Sequence, residues 1–202
     1  MCFNAEVSLK TFIFGSICAG ITVLLGHYEY LKILVVFSFT LMQLLEYYTW
    51  NYINDKRKIR ELSILGLHLI AFQLILMNIA FPRGNTRLIL LTLLFIFFIA
   101  FYLFQYHKTN FDMEKGKNGH LIWYWADVPP IWIIIALLFY LVPCLLSNYN
   151  TRYLLFSFGL VSVVISLYYY FKYKTWGTIW CYLSNLLWFY LIITSVIFKL
   201  KQ

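Results

Sequence analysis

Charged residues are scarce in this sequence: Asp, Glu, Lys and Arg together make up 12% of its 202 residues. Water-soluble domains carry about a quarter charged residues, so a soluble enzyme or binding module is excluded. Proline and glycine are also few, at four and nine residues, which excludes collagen-like and low-complexity chains. The four cysteines, Cys2, Cys18, Cys144 and Cys181, form no C-x-x-C pair and no close array. Their spacing therefore writes neither a disulfide framework nor a zinc ribbon. Acidic residues number only eight, half as many as the sixteen basic ones.

What fills the chain instead is apolar: 62% hydrophobic and 21% aromatic residues, with a mean hydropathy of +0.76. Apolar runs bounded by charges, Pro or Gly fall at about 8–26, 31–53, 61–81, 86–106, 130–147, 153–171 and 176–198. Each is near the length needed to cross a hydrocarbon core of about 30 Å. The runs are continuous rather than alternating, so they read as helices and not as strands of a barrel. The expected fold is all-α: one integral membrane bundle of seven transmembrane helices over residues 1–202, a multi-pass protein in the lipid bilayer. The opening MCFNAEVSLK lacks a basic leader region and a small-x-small cleavage site, so the first run is expected to be retained.

The net charge of +8 belongs to topology rather than to nucleic acid, because no basic run is interleaved with aromatics in a soluble segment. Alternate ends of the seven runs carry ten and six Lys and Arg residues. The richer side holds Lys10, the 54–60 loop, the 107–129 loop and Lys172 and Lys174. The positive-inside rule then places the N-terminus in the cytoplasm and the C-terminus outside. That orientation is opposite to rhodopsin-like receptors, and the last run has no lysine before Lys199, which argues against a retinal Schiff base. The one long connection, at about 107–129 on the inner side, is polar in its first half and aromatic in its second. Trp123, Tyr124 and Trp125 are expected to anchor it in the headgroup layer.

Intramembrane polarity marks the candidate site. Of the eight acids, only Glu46 lies well inside an apolar run, where a carboxylate costs at least a few kcal/mol unless protonated, paired or bound to a cation. Gln43 and Trp50 lie three residues before and four after it, on the same helix face. In the last run Cys181, Ser184, Asn185 and Trp188 form a polar stripe that serves either packing and interhelical hydrogen bonds or a polar path. His68 lies in the third run. His120, after Gly119 where the inner loop returns to the membrane, has a ring suited to acid–base or ligand chemistry. Asp127 is placed to favour the start of the fifth helix, and His27 and Glu29 sit at the opposite interface. With the N-terminus inside, Cys2, Glu46, His68, His120 and Cys181 share the inner leaflet. Removal of Met1 would give Cys2 both a thiol and an amine.

These motifs resemble a family of small, uncharacterised, mostly bacterial polytopic membrane proteins that open with Met-Cys-Phe-Ser-Ala. Here the opening reads MCFNA, with Asn4 in place of Ser. The family's Gln-x-x-Glu followed by Trp is matched by Gln43, Glu46 and Trp50. Its Gly-His, aromatic stretch and Pro are matched by Gly119, His120, Tyr124 and Pro130, and its Trp-Cys in the last span by Trp180 and Cys181. Tyr47 stands where a small residue usually follows the acid. The resemblance implies no assigned activity; it picks out Cys2, Glu46, His120 and Cys181, residue types that suit zinc or another borderline-soft metal.

Three functions compete on these observations. One is a cytoplasm-facing intramembrane enzyme acting on a lipid or other amphiphile, with Glu46, His120 and Cys2 as catalytic groups and a metal at Cys2, Glu46, His120 and Cys181. In this reading Gln43, His68, Trp50, Trp180, Ser184 and Asn185 support the site. The second is a transporter or channel in which Glu46 couples protons or cations along Gln43, Ser184 and Asn185. The third is a non-catalytic receptor or structural membrane protein.

Overall fold

The computed structural model describes residues 4–147 and 152–200. It is a helical bundle with one small hairpin. The helices are α1 (Ala5–Leu25), α2 (Tyr30–Asn51), α3 (Lys56–Ala80), α4 (Gly84–Phe104), α5 (Pro130–Leu145), α6 (Arg152–Tyr170), α7 (Trp176–Ser184) and α8 (Leu187–Leu200). Local chemistry sets the ends. The Asn4 side chain accepts from the Val7 amide (2.9 Å), and Asp55 accepts from Arg57 and Lys58 (3.1 and 3.2 Å); each removes donors that a helix start leaves unpaired. Gly26 ends α1 with φ at 67°, a left-handed residue of the kind glycine supplies at C-caps.

Among the described residues six helices are long and apolar enough to cross a membrane, with α7 and α8 counted as one span, Trp176–Leu200. The seven expected runs all fall on helices, the last divided between α7 and α8, and α5, at 16 residues, is the shortest of the seven. It covers about 24 Å at 1.5 Å per residue, from Pro130 in its first turn to Leu145. Burial is uneven: 61% of the α2 span is inside the protein against 6% of α4. α2 is the central helix, packed by α1, α3 and α7, while α4 leans on α3 and α5 at the margin. Gly15 allows α1 to approach α2, since a Cβ there would lie 2.5 Å from the Thr40 side chain.

The connections sort to two ends, as the alternation of runs requires. At one end Glu29 Oε1 meets Lys32 (3.3 Å) and Arg83 (3.5 Å), and Tyr28 shares a hydrogen bond with Thr194 (2.7 Å). At the other, Asp127 pairs with Lys174 (2.5 Å) and Asn118 donates to Thr175 (2.8 Å). Asp127 thus serves an ion pair between two connections rather than the start of α5.

The long connection departs most from expectation. It holds an antiparallel hairpin, β1 (Met113–Lys115) and β2 (Leu121–Trp123), with Glu114 opposite Ile122. Gly119, with φ at 82°, and the bond from the Gly116 amide to the His120 carbonyl (2.7 Å) close its turn. All three residues of β2 are buried. Trp123 packs on α3 at Gly66, where a Cβ would fall 2.5 Å from its ring. Gly66 is five residues, about 7.5 Å of helix, beyond Glu61, the last charge of α3. β2 is enclosed by α3 and α7, while Glu114 and Lys115 of β1 stay exposed.

Candidate functional site

The polar groups of the interior start on α2. Ser38, Thr40, Gln43, Glu46 and Thr49 are all fully buried, and neighbouring helices supply partners for several of them. Gln73 of α3 donates to the Ser38 carbonyl (3.0 Å) and accepts from Tyr140 of α5 (2.7 Å). Tyr140 packs edge-on against Trp180 of α7 (4.9 Å), and the Trp180 indole donates to Ser162 of α6 (3.1 Å). One network thus ties five helices together, each bond made where water is absent and an unpaired group is costly.

The stripe on the last span is engaged in the same way. Between α7 and α8 the backbone tightens, with amides of Asn185 and Leu186 bonding three residues back. The carbonyl of Cys181 is taken by the Asn185 side-chain amide instead (3.0 Å). Asn185 also accepts from Thr40 (2.9 Å), and Thr40 accepts from the Trp188 indole (3.0 Å). Ser184 bonds the Trp180 carbonyl (2.9 Å). Ser184 and Asn185 therefore stabilise the break in the helix and its junction with α2.

Nearer the hairpin, Glu46 is fully enclosed and lies within electrostatic reach of Cys181, also buried. His120 is buried at the hairpin turn, edge-on to Tyr170 (5.5 Å), and Asn118 locks that turn to the start of α7. Gln43 shares the buried face of Glu46, while Trp50, one turn on, is half-buried. Cys2 lies outside the described residues. Among the described residues no group of three or more His, Cys, Asp or Glu side chains gathers as a metal site, so Glu46, His120 and Cys181 do not close one by themselves.

Beside this packed region lies a cavity of about 400 Å³, within the range of small-molecule sites. It is bounded by α3, α4, α5, α7 and the segment after β2. Phe97, Phe98, Phe101, Trp132 and Leu137 make it strongly apolar, and Cys181 and Tyr140 form its inner wall. Its exposed lining residues, His68, Tyr102 and Lys174, mark where it opens, toward the lipid-facing surface of α3 and α4 and at the hairpin end. Glu46 and His120 do not line it. His68 does, with Nδ1 held by the Ile64 carbonyl (2.8 Å) and the other ring nitrogen turned from that bond.

No protein-family model, curated protein or solved structure matches the chain. Function is read from the site itself.

Two residues of the cavity wall went unrecognised in the sequence. The indole N–H groups of Trp123 and Trp125 are buried with no hydrogen-bond partner among the described residues, and both rings line the cavity, 5.6 Å apart and tilted edge to face. Their run, WYW, carries an interfacial signal that hid their place on the cavity wall. Between them Tyr124 points outward and donates a short hydrogen bond to Glu114. That bond, to an acceptor that carries negative charge, pushes the Tyr124 phenol up to about 12.

Proposed function

We propose that this chain is a seven-span membrane protein, N-terminus cytoplasmic and C-terminus external, that admits a lipid or other amphiphile to the cavity and acts on it from the cytoplasmic side. The observation that carries the reading is the cavity: an aromatic-lined space reaching the lipid-facing surface, with a thiol on its wall and an enclosed carboxyl behind that thiol. A purely structural bundle has no need of such a space, since protein interiors are close-packed. The excess of Lys and Arg at the hairpin end supports the orientation. The packing of α5 against α3 and α6 supports its role as the short seventh span, accommodated by local thinning of the bilayer.

Glu46 supplies general acid–base chemistry in this reading, with Cys2 as nucleophile or, alternatively, with a metal completed by Cys2, Glu46, His120 and Cys181. The test is purified protein in liposomes of total bacterial lipid extract, with lipid products followed by mass spectrometry. A product that wild type forms and Glu46→Gln does not, at unchanged melting temperature, is expected; equal product from both overturns the role of Glu46. Metal analysis of protein purified without chelators separates the two chemistries. About one equivalent, lost in Cys2→Ser and in His120→Ala, marks the metal version.

A second reading, proton or cation transport, draws on the file of buried polar residues along α2. It predicts Glu46-dependent ion flux into the same liposomes and no lipid product. The hydrogen bonds that engage Thr40, Ser184 and Asn185 weigh against it, because a permeation path needs polar groups free to solvate an ion.

A further inference from the structure

Another cavity, of about 90 Å³, lies toward the end opposite the hairpin, among α2, α3, α5, α6, α7 and α8. Tyr140 and Trp180 border both it and the larger cavity. Its α2 wall runs from Lys32 to Phe39, seven residues or about 10 Å of helix. Val35, Phe39, Met77, Phe81, Leu155 and Leu191 make the walls apolar, and Lys32 is the one charged residue lining it among the described residues.

Local structure does not account for that lysine. Lys32 is 7% exposed, a degree of enclosure that lysine rarely reaches, and it sits in the first turn of α2, where a cation opposes the helix dipole. Its acid is Glu29 (3.3 Å), whose side chain is 57% exposed and whose same oxygen also meets Arg83 (3.5 Å). Both distances exceed the roughly 2.7–2.9 Å of a close charge-assisted bond. Glu29 is moreover the only acid at this end of the bundle, which also holds Arg83, Arg87, Arg152 and Lys199. One carboxylate divided between two cations leaves positive charge in excess, and the enclosed part of that charge lies on the cavity wall.

Size then limits what an anion there can carry. A cavity of about 150 Å³ takes benzene, so about 90 Å³ has room for roughly four non-hydrogen atoms. Walls that are apolar except at Lys32 disfavour chloride or phosphate, which would give up hydration for hydrocarbon on nearly every side. We infer that this cavity binds a small monocarboxylate of about two or three carbons, its carboxylate on the Lys32 ammonium and its alkyl group against Val35, Phe39 and Met77. Glu29 competes for the same ammonium and so sets the affinity. The site is separate from the larger cavity and does not depend on what that cavity admits.

The experiment is equilibrium binding of carbon-14 propionate to the purified full-length protein in detergent at low salt. Lys32→Met keeps most of the side chain's bulk and removes its charge, so it should weaken binding at least about ten-fold, the loss of a hydrogen bond to a charged group. Glu29→Gln should act the other way and tighten binding about two- to five-fold by removing a competing charge; this gain is readable even if Lys32→Met fails to fold. A lysine that serves only to pair with Glu29 gives no binding in wild type and none in Glu29→Gln, and that result overturns the site. Propionamide, uncharged and of the same size, should not displace the label; displacement equal to that by propionate overturns the charge assignment. Hexanoate should compete more weakly than propionate. If it competes better, the occupant is the carboxylate of a longer lipid chain and the size limit falls. Chloride displacing the label as well as propionate does overturns the carboxylate assignment in favour of any small anion.

Discussion

Two sets of polar groups lie inside the same apolar bundle and differ in one respect. At the junction of α2 with the last span, Thr40, Asn185 and Trp188 hydrogen-bond to one another, and Asn185 also takes the carbonyl that the helix break releases. On the cavity wall, Trp123 and Trp125 have buried donors with no partner among the described residues. The first set is engaged in holding helices together. The second is left unsatisfied by the described residues. Polarity inside a membrane is therefore not by itself a mark of function; what distinguishes a site is whether the protein has already satisfied it.

Substitutions can break this comparison from either side. The largest effect is expected at the seat of the hairpin. Gly66→Ala places a methyl 2.5 Å from the Trp123 ring, and overpacking of this kind costs about 1–3 kcal/mol. It should lower the midpoint of detergent-induced unfolding and expose the hairpin to protease; an unaffected hairpin would mean that Trp123 is not seated there. Asn185→Ala comes next, because it removes both side-chain hydrogen bonds that Asn185 makes at the helix break. Interhelical hydrogen bonds in membranes are worth about 0.6 kcal/mol on average and up to about 1.7, so a loss of about 1–2 kcal/mol is expected in the same assay.

Trp123→Phe sharpens the contrast. Trp123→Phe and Trp188→Phe remove the same buried ring volume, but only the second also deprives Thr40 of a donor (3.0 Å), so Trp188→Phe should cost about 1 kcal/mol more. Equal costs would erase the distinction between the two sets. The smallest effect belongs to Tyr124, outside the spans. Its hydrogen bond to Glu114 raises its pKa to about 12, so the neutral phenol is favoured in the folded state. The associated stability is present below the ordinary tyrosine pKa of about 10 and is lost as pH rises through about 12. An ultraviolet titration should show one phenol fewer ionising near pH 12 in Tyr124→Phe.

Much of the frame is legible in the residues. The seven apolar runs became helices with ends displaced by a few residues, because backbone groups in lipid leave little alternative to helix. Glu46, the one acid deep in an apolar run, is fully enclosed, as its cost in lipid requires. Less legible was the 107–129 connection. Its second half reads as an aromatic anchor because Trp and Tyr favour the headgroup layer, and nothing local distinguishes that from rings turned inward. Gly66, forty residues or more upstream, is what makes room for Trp123. Likewise the stripe from Cys181 to Trp188 read equally as a polar path or as helix contact until Thr40, far away in sequence, proved to be its partner.

The sequence by itself determined that the chain is a helical membrane bundle, where its helices run and which acid they bury, since those follow from hydrophobicity and from the demand that every backbone group in lipid be paired within its own helix. Only the tertiary structure decided which polar side chains found partners and which were left without one. Satisfaction of a hydrogen bond depends on a second residue that packing, not spacing along the chain, brings within 3 Å.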